Sequence, residues 1–190
     1  MSDATKVTAG KPMITGSVYR APLGTTLPED ATDTLDSAFK ELGYISDAGV
    51  VNSNSPSNTA IKAWGGDTVL DVQTEKPDTF KMAFIEALND EVLKVVYGDA
   101  NVSGSLEEGL TIKANSSEQK TQCLVIDMIL KDGAAKRIVL PNCKVTAVAD
   151  ITYSDSAAVA YDTTLSCYPY EDYNGDTHRE FILASADPSF

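Results

Sequence analysis

Residues 63–98 read AWGGDTVLDVQTEKPDTFKMAFIEALNDEVLKVVYG, and their pattern predicts an amphipathic β-hairpin that runs into a short helix. Apolar and polar residues alternate over 69–74 and again over 79–85, which is typical of two strands buried on one side. The turn-forming stretch Glu75-Lys76-Pro77-Asp78 separates them. The predicted core face comprises Leu70, Val72, Thr74, Phe80, Met82 and Phe84. The predicted polar face carries Asp71, Gln73, Glu75 and Lys81, so one side of this sheet is expected to contact water or a partner.

Two short helices are predicted beside the strands. The first covers Leu35–Leu42, because apolar residues recur at helical spacing and Gly43 follows as a stop. The second runs from about Asn89 to Tyr97, where Asn89 is a favourable N-cap and Gly98 a favourable end. We therefore expect a mainly β fold of the α+β class, with one or two short flanking helices.

The C-terminal half is rich in strand patterns that predict a meander. The predicted strands are 122–131, 137–140, 144–153 and 157–168, preceded by a hairpin over 102–113. Both alternating sets of residues 123–130 are apolar, which fits a strand covered on both faces. One cover is expected to be a helix and the other a second subunit.

Length and composition favour a single domain over 1–190 with several arms. Hydrophobic residues make up 43% of the chain, enough for a substantial core. The polar N-terminus (about 1–16), the turn-rich segment 46–66 and the tail from Asp187 are expected to be contact arms. The segment 46–66 is longer than an ordinary connection, which favours an interaction loop.

Charge argues against direct binding to nucleic acid. The chain has 15 Lys and Arg against 28 Asp and Glu, giving a formal net charge of −13. Such a surface repels phosphates instead of releasing their counterions. We expect neither a secretory signal nor a membrane span, since the N-terminus lacks a basic start followed by an apolar run, and apolar stretches fall short of about 20 residues.

The reactive residue types do not form a catalytic or metal-binding pattern. Cys123, Cys143 and Cys167 are far apart in sequence, and their strand-like surroundings favour small buried hydrophobic residues over a disulfide bridge. The single histidine, His178, lacks a nucleophile motif, and the acidic stretch 171–176 departs from a calcium loop at the sixth and twelfth positions. We expect no enzyme activity, cofactor or metal.

Four stretches of the chain carry a resemblance to a known family. They are Gly16 with VYRAPLGTTLP at 18–28, LGYISDAGV at 42–50, NSNSPSN with IKAWGGDTVLDVQTEK at 52–76, and FIEALNDEVLKVVYG at 84–98. These sequences resemble those of the major tail proteins, or tail tube proteins, of long non-contractile tailed bacteriophages. The resemblance spans nearly the whole chain.

The resemblance implies a β-sandwich or barrel-like subunit, six of which close into a ring. It further implies that rings stack into a tube, that an acidic lumen lets DNA pass, and that the partners are the tape measure, tail tip and terminator proteins. The implied place is the virion tail, assembled in the host bacterial cytoplasm. We place Asp71, Gln73, Glu75 and Lys81 at the lumen, and Asp47, Asn52, Asn54 and Trp64 at ring-to-ring contacts.

Two other interpretations are open from the residues alone. A monomeric β-sandwich that binds carbohydrate or a receptor would use aromatic platforms, for which Trp64, Tyr168, Tyr170 and Tyr173 are the candidates. Anchoring in a core or an interface is the more common role of a tryptophan such as Trp64. A different phage structural part, such as a tail terminator or a head decoration protein, would differ in its assembly.

Overall fold

A computed structural model describes residues 2–13 and 17–184, and its mainly β architecture confirms the expected fold class. The strands are β1 (Lys11–Pro12), β2 (Val18–Pro22), β3 (Lys40–Glu41), β4 (Val51–Asn54), β5 (Ser57–Lys62), β6 (Thr68–Glu75), β7 (Asp78–Phe84), β8 (Val102–Ser105), β9 (Gly109–Ile112), β10 (Gln122–Ile129), β11 (Ala135–Val148), β12 (Tyr161–Cys167) and β13 (Arg179–Leu183). The α-helix is α1 (Asp90–Tyr97), and short 3-10 turns lie at Ala4–Lys6, Asp99–Asn101, Lys131–Gly133 and Glu171–Tyr173.

The main sheet is antiparallel and has the order β3-β2-β10-β11-β12-β7-β4. In addition, β1 pairs with β10 and β13 pairs with β11. The succession β10-β11-β12 confirms the predicted meander. The hairpin predicted over 102–113 is also confirmed, since β8 pairs with β9 in a small separate sheet.

A single long strand, β11, replaces the two strands predicted over 137–140 and 144–153. The register steps from Leu140 opposite Leu124 to Cys143 opposite Gln122, which leaves one extra residue in β11 beside Pro141. A bulge of this kind accommodates a proline, which has no N–H for the ladder. The strand therefore continues through a residue that ordinarily ends one.

The predicted pairing of strand 69–74 with strand 79–85 is wrong. Strand β6 instead pairs with the preceding β5, and β7 pairs with β12 and β4. Gly65 and Gly66 adopt φ values of 111° and 99° in the turn between β5 and β6. Glycine tolerates such positive φ angles, so this turn allows β6 to fold back on β5.

One of the two predicted helices forms. Asn89 accepts a hydrogen bond from the Glu91 amide and caps α1, as expected. The prediction of a helix over 35–42 is wrong, because the chain there is irregular and then forms β3. Phe39 and Leu42 enter two different cores, which an extended segment allows and a single helical face does not.

The main sheet has a core on each side. The larger core packs Phe80, Phe84 and Leu124 against α1. The smaller core contains Cys123, Val125, Val139, Ala21, Phe39 and Tyr173. Strand β10 is therefore covered on both faces by its own chain, and the second subunit predicted as one cover is not needed there.

Only part of the predicted terminal arms is described. Within the N-terminal arm, Lys11 pairs with Ile129 and Pro12 pairs with Met128 of β10. The tail from Asp187 lies outside the described residues.

Candidate assembly surface

The most exposed part of the described chain is the two-stranded arm formed by β5, β6 and their turn (Ser57–Glu75, hereafter the arm). Ile61 lies opposite Leu70 and Thr59 lies opposite Val72, so these four residues share one face. Ala60 opposite Asp71 and Asn58 opposite Gln73 form the other face. The amide of Asn58 donates to the carboxylate of Asp71 over 3.1 Å on that polar face.

The apolar face of the arm does not pack against the body of the subunit. Every residue from 51 to 77 is exposed, including Leu70 at 54% and Val72 at 40%. The core role predicted for Leu70 and Val72 is therefore wrong, whereas Phe80, Met82 and Phe84 are buried as predicted. Trp64 projects fully into solvent from the turn at the tip, which excludes a core role within this chain.

The root of the arm is held by the buried carboxylate of Asp78, the first residue of β7. Asn52 Nδ2 donates to Asp78 Oδ1 over 2.9 Å, and Thr177 Oγ1 donates to Oδ2 over 2.7 Å. His178 Nδ1 lies 2.5 Å from the same Oδ2. Burial alone would raise the pKa of Asp78, but the hydrogen bonds from Thr177, His178 and Asn52 outweigh burial and lower it. The Asn52 bond joins β4 to β7 where the arm leaves the sheet, and the Thr177 and His178 contacts tie the segment before β13 to the same carboxylate.

On the side opposite the larger core, the main sheet carries the smaller core over β10 and β11 and a polar face over β12 and β7. Strand β12 alternates between buried and half-buried residues, and Asp162, Thr164 and Ser166 occupy the half-buried positions. Lys81 of β7 lies on this face and forms an ion pair with Asp162, with an Nζ–Oδ2 distance of 2.9 Å. Thr146 shares a hydrogen bond of 3.0 Å with Ser166. The face is therefore rich in small hydroxyl side chains, and its Lys81 charge is neutralised.

The sequence model of one protein family, described as phage tail tube protein, matches residues 2–182. The chain belongs to the phage tail tube protein family. A comparison with individual curated proteins found no match. The family identifies this tail tube protein as a structural component of a phage tail that assembles with its own copies and with other tail proteins. The resemblance stated from the sequence is confirmed at the level of tail tube proteins.

The residues predicted for the lumen of this tail tube protein lie on two different sheets. Asp71, Gln73 and Glu75 belong to β6 of the arm, and Lys81 belongs to β7 of the main sheet. They do not share one hairpin face, because β6 and β7 do not pair. Their role at the lumen stays a prediction.

The residues predicted for ring stacking surround the arm. Asn52 and Asn54 lie on β4 at the root, Trp64 lies at the tip, and Asp47 lies in the turn before β4. Sequence reasoning missed Asp162, Thr164 and Ser166, although the period-two alternation of β12 is visible in the sequence.

The histidine and the acidic turn of the tail tube protein have structural partners. The His178 ring packs edge-to-face on Phe80, with centroids 5.2 Å apart, while Thr177 hydrogen-bonds to the Asp78 carboxylate. Arg179 donates to Asp176 from Nε over 2.9 Å and lies 3.9 Å from the Tyr173 ring centroid.

In the described ranges, no three His, Cys, Asp or Glu side chains converge as a metal site. None of the described helices is long and apolar enough to span a membrane.

Proposed function

We propose that this protein polymerises as stacked hexameric rings that form the tail tube of a siphophage and a conduit for genome ejection. The observation that supports this proposal is the amphipathic arm, whose apolar face is exposed in the free subunit. Exposed apolar patches of this kind mark contacts with other proteins. Membership of the tail tube family supplies the partner, which is another copy of the chain.

In this proposal, the apolar face of the arm packs against a subunit in the neighbouring ring. Full burial of a side chain such as Leu70 or Val72 contributes about 1.5–3 kcal/mol. Ile61 lies on the same face, and the exposed indole of Trp64 at the tip of the arm offers further apolar area. Because each of six subunits contributes one arm, modest contacts sum to a stable ring-to-ring junction.

The lumen is proposed to be lined by the polar sheet face together with the polar face of the arm. The Lys81 charge is neutralised by Asp162, and the arm contributes Asp71, Gln73 and Glu75. A lysine paired with a carboxylate attracts phosphates less than a free one, and the net charge of −13 repels phosphates further. DNA would then pass through the lumen without binding tightly.

Further partners and the place of assembly follow from the same proposal. The tape measure protein would occupy the lumen before DNA, and the tail tip and terminator proteins would bind the two ends of the tube. Assembly would take place in the host bacterial cytoplasm, with the product retained in the virion.

The test compares Leu70→Lys with the matched neighbour Asp71→Lys. Both positions are exposed on β6, so neither change should unfold the subunit, but only Leu70 lies on the apolar face. Negative-stain electron microscopy and sedimentation at high protein concentration should show tubes for the unmodified chain and for Asp71→Lys, and only unstacked rings or monomers for Leu70→Lys. Full-length tubes from Leu70→Lys would refute the stacking role of the arm.

The structure weakens the alternative of a monomeric binding module, because one of its four candidate aromatic residues is not available at the surface. Tyr173 is buried in the smaller core, and its hydroxyl donates to the Pro28 carbonyl over 3.2 Å. Trp64 lies on the arm, whereas Tyr168 and Tyr170 follow β12 at the body of the subunit. If the unmodified chain stays monomeric even with tail tip complex added, glycan screening with Trp64→Ala as the control would test this alternative.

A further inference from the structure

The three cysteines occupy neighbouring strands at the same level of the main sheet. Cys123 lies on β10, Cys143 on β11 and Cys167 on β12. All three are buried and in the thiol form. Cys143 lies directly opposite Cys167 in the register of β11 and β12.

The hydrogen bonds around this cysteine pair define its geometry. The Tyr168 amide donates to the Asn142 carbonyl over 2.9 Å, so the bond joins the residue after Cys167 to the residue before Cys143. This pattern makes Cys143 and Cys167 a non-hydrogen-bonded pair, in which the Cα atoms of antiparallel strands lie about 4.5 Å apart. A disulfide spans Cα atoms about 4.4–6.8 Å apart, so the backbone already has a suitable separation.

The direction of the side chains separates this pair from the third cysteine. Cys143 and Cys167 belong to the larger core, on the same side of the sheet. Cys123 belongs to the smaller core on the other side, where its Sγ contacts the Ala21 carbonyl at 3.4 Å. The fold therefore selects one of the three possible cysteine pairings.

We propose that Cys143 and Cys167 form a cross-strand disulfide site that closes when the protein meets an oxidising medium. Thiols stay reduced in a bacterial cytoplasm, whereas a released particle is exposed to oxidants. The bond would link β11 to β12 at the centre of the main sheet. This inference rests on the register of the two strands and does not depend on the proposed tube.

The chemistry requires an external oxidant, for which a small-molecule disulfide suffices. The Cys167 thiolate attacks one sulfur of that disulfide, forms a mixed disulfide and releases one small thiol. The Cys143 thiolate then attacks Sγ of Cys167 and expels the second small thiol. Two protein thiols are thereby oxidised, the small disulfide is reduced to two thiols, and the two protons pass to the released thiolates.

The greater solvent exposure of Cys167 favours it as the first thiol to react with the oxidant. It ends β12 and is 7% exposed, whereas Cys143 is fully buried. Burial raises the pKa of both thiols, so thiolate is scarce and closure should be slow at neutral pH. The rate should rise about tenfold for each pH unit while pH stays below the thiol pKa.

The experiment treats the folded full chain with oxidised glutathione at pH 8.5 and follows intact mass. Non-reducing tryptic mapping should then find the peptide 138–144 linked to the peptide 145–179. The Cys143→Ala and Cys167→Ala variants should lose this link completely. The matched variant Cys123→Ala should form it at a rate within about twofold of the unmodified chain, because Cys123 lies on the other face.

Two controls make the result decisive. Circular dichroism before oxidation verifies that each variant is folded, and the same treatment in 8 M urea shows that the oxidant works on accessible thiols. A link from Cys123 to either other cysteine in the folded chain would overturn the proposal. So would persistence of all three thiols in the folded chain after the urea sample has reacted to completion.

Discussion

Replacing Asp127 by asparagine should remove the charge that balances a buried guanidinium. Arg137 donates from Nε to Asp127 Oδ1 over 2.7 Å and from Nη2 to Oδ2 over 2.9 Å. The two side chains are only 6% and 7% exposed. Arg137 also donates from Nη1 to the Asp33 carbonyl over 2.7 Å, which holds the loop over the smaller core.

The expected cost follows from this burial. Removing one partner of a buried ion pair leaves an uncompensated charge and costs about 3–5 kcal/mol. Exposed pairs contribute about 0–1 kcal/mol. Strand β11 offers a matched control next to Arg137, since Lys136 pairs with the partly exposed Glu180 over 2.8 Å. Asp127→Asn should therefore be several-fold more destabilising than Glu180→Gln.

Urea denaturation followed by far-UV circular dichroism measures both changes, at a protein concentration where the chain is monomeric. Linear extrapolation gives the free energy of unfolding for each variant. Equal m-values would show that the comparison concerns stability and not the denatured state. If Asp127→Asn cost no more than Glu180→Gln, the assignment of Arg137 as a buried charge dependent on Asp127 would be refuted.

Three further results are expected. Phe84→Ala should lower the free energy of unfolding by about 3–5 kcal/mol, because the ring is fully buried. Leu70→Ala should change it by less than about 0.5 kcal/mol in the free chain, because Leu70 is exposed there, and urea denaturation measures both values. The fluorescence of Trp64, the single tryptophan, should shift to shorter wavelength when tubes form and remain unchanged in Leu70→Lys, because assembly would remove the exposed indole from water. The lowered pKa of Asp78 should contribute stability above about pH 4 that is lost as pH falls through the folded-state value, so Asp78→Asn should flatten the acid limb of a stability–pH profile.

Local features of the sequence were sufficient for several elements. The alternation of β7 identified Phe80, Met82 and Phe84 as core, and Asn89 with Gly98 marked the two ends of α1. These predictions succeed because side-chain period and capping depend on residues a few positions apart. The candidate site was harder, since the predicted lumen residues were assigned to one face and lie on two sheets.

The sequence by itself determined the strand periods, the polar and apolar sides of β6 and β7, and the position of α1. Only the tertiary structure decided that β6 pairs with β5, that β11 continues through Pro141 and that β10 is covered twice by its own chain. An alternating pattern shows which side of a strand is apolar but carries no information about its partner strand. The same pattern therefore buries Phe80 in the sheet and leaves Leu70 exposed on the arm.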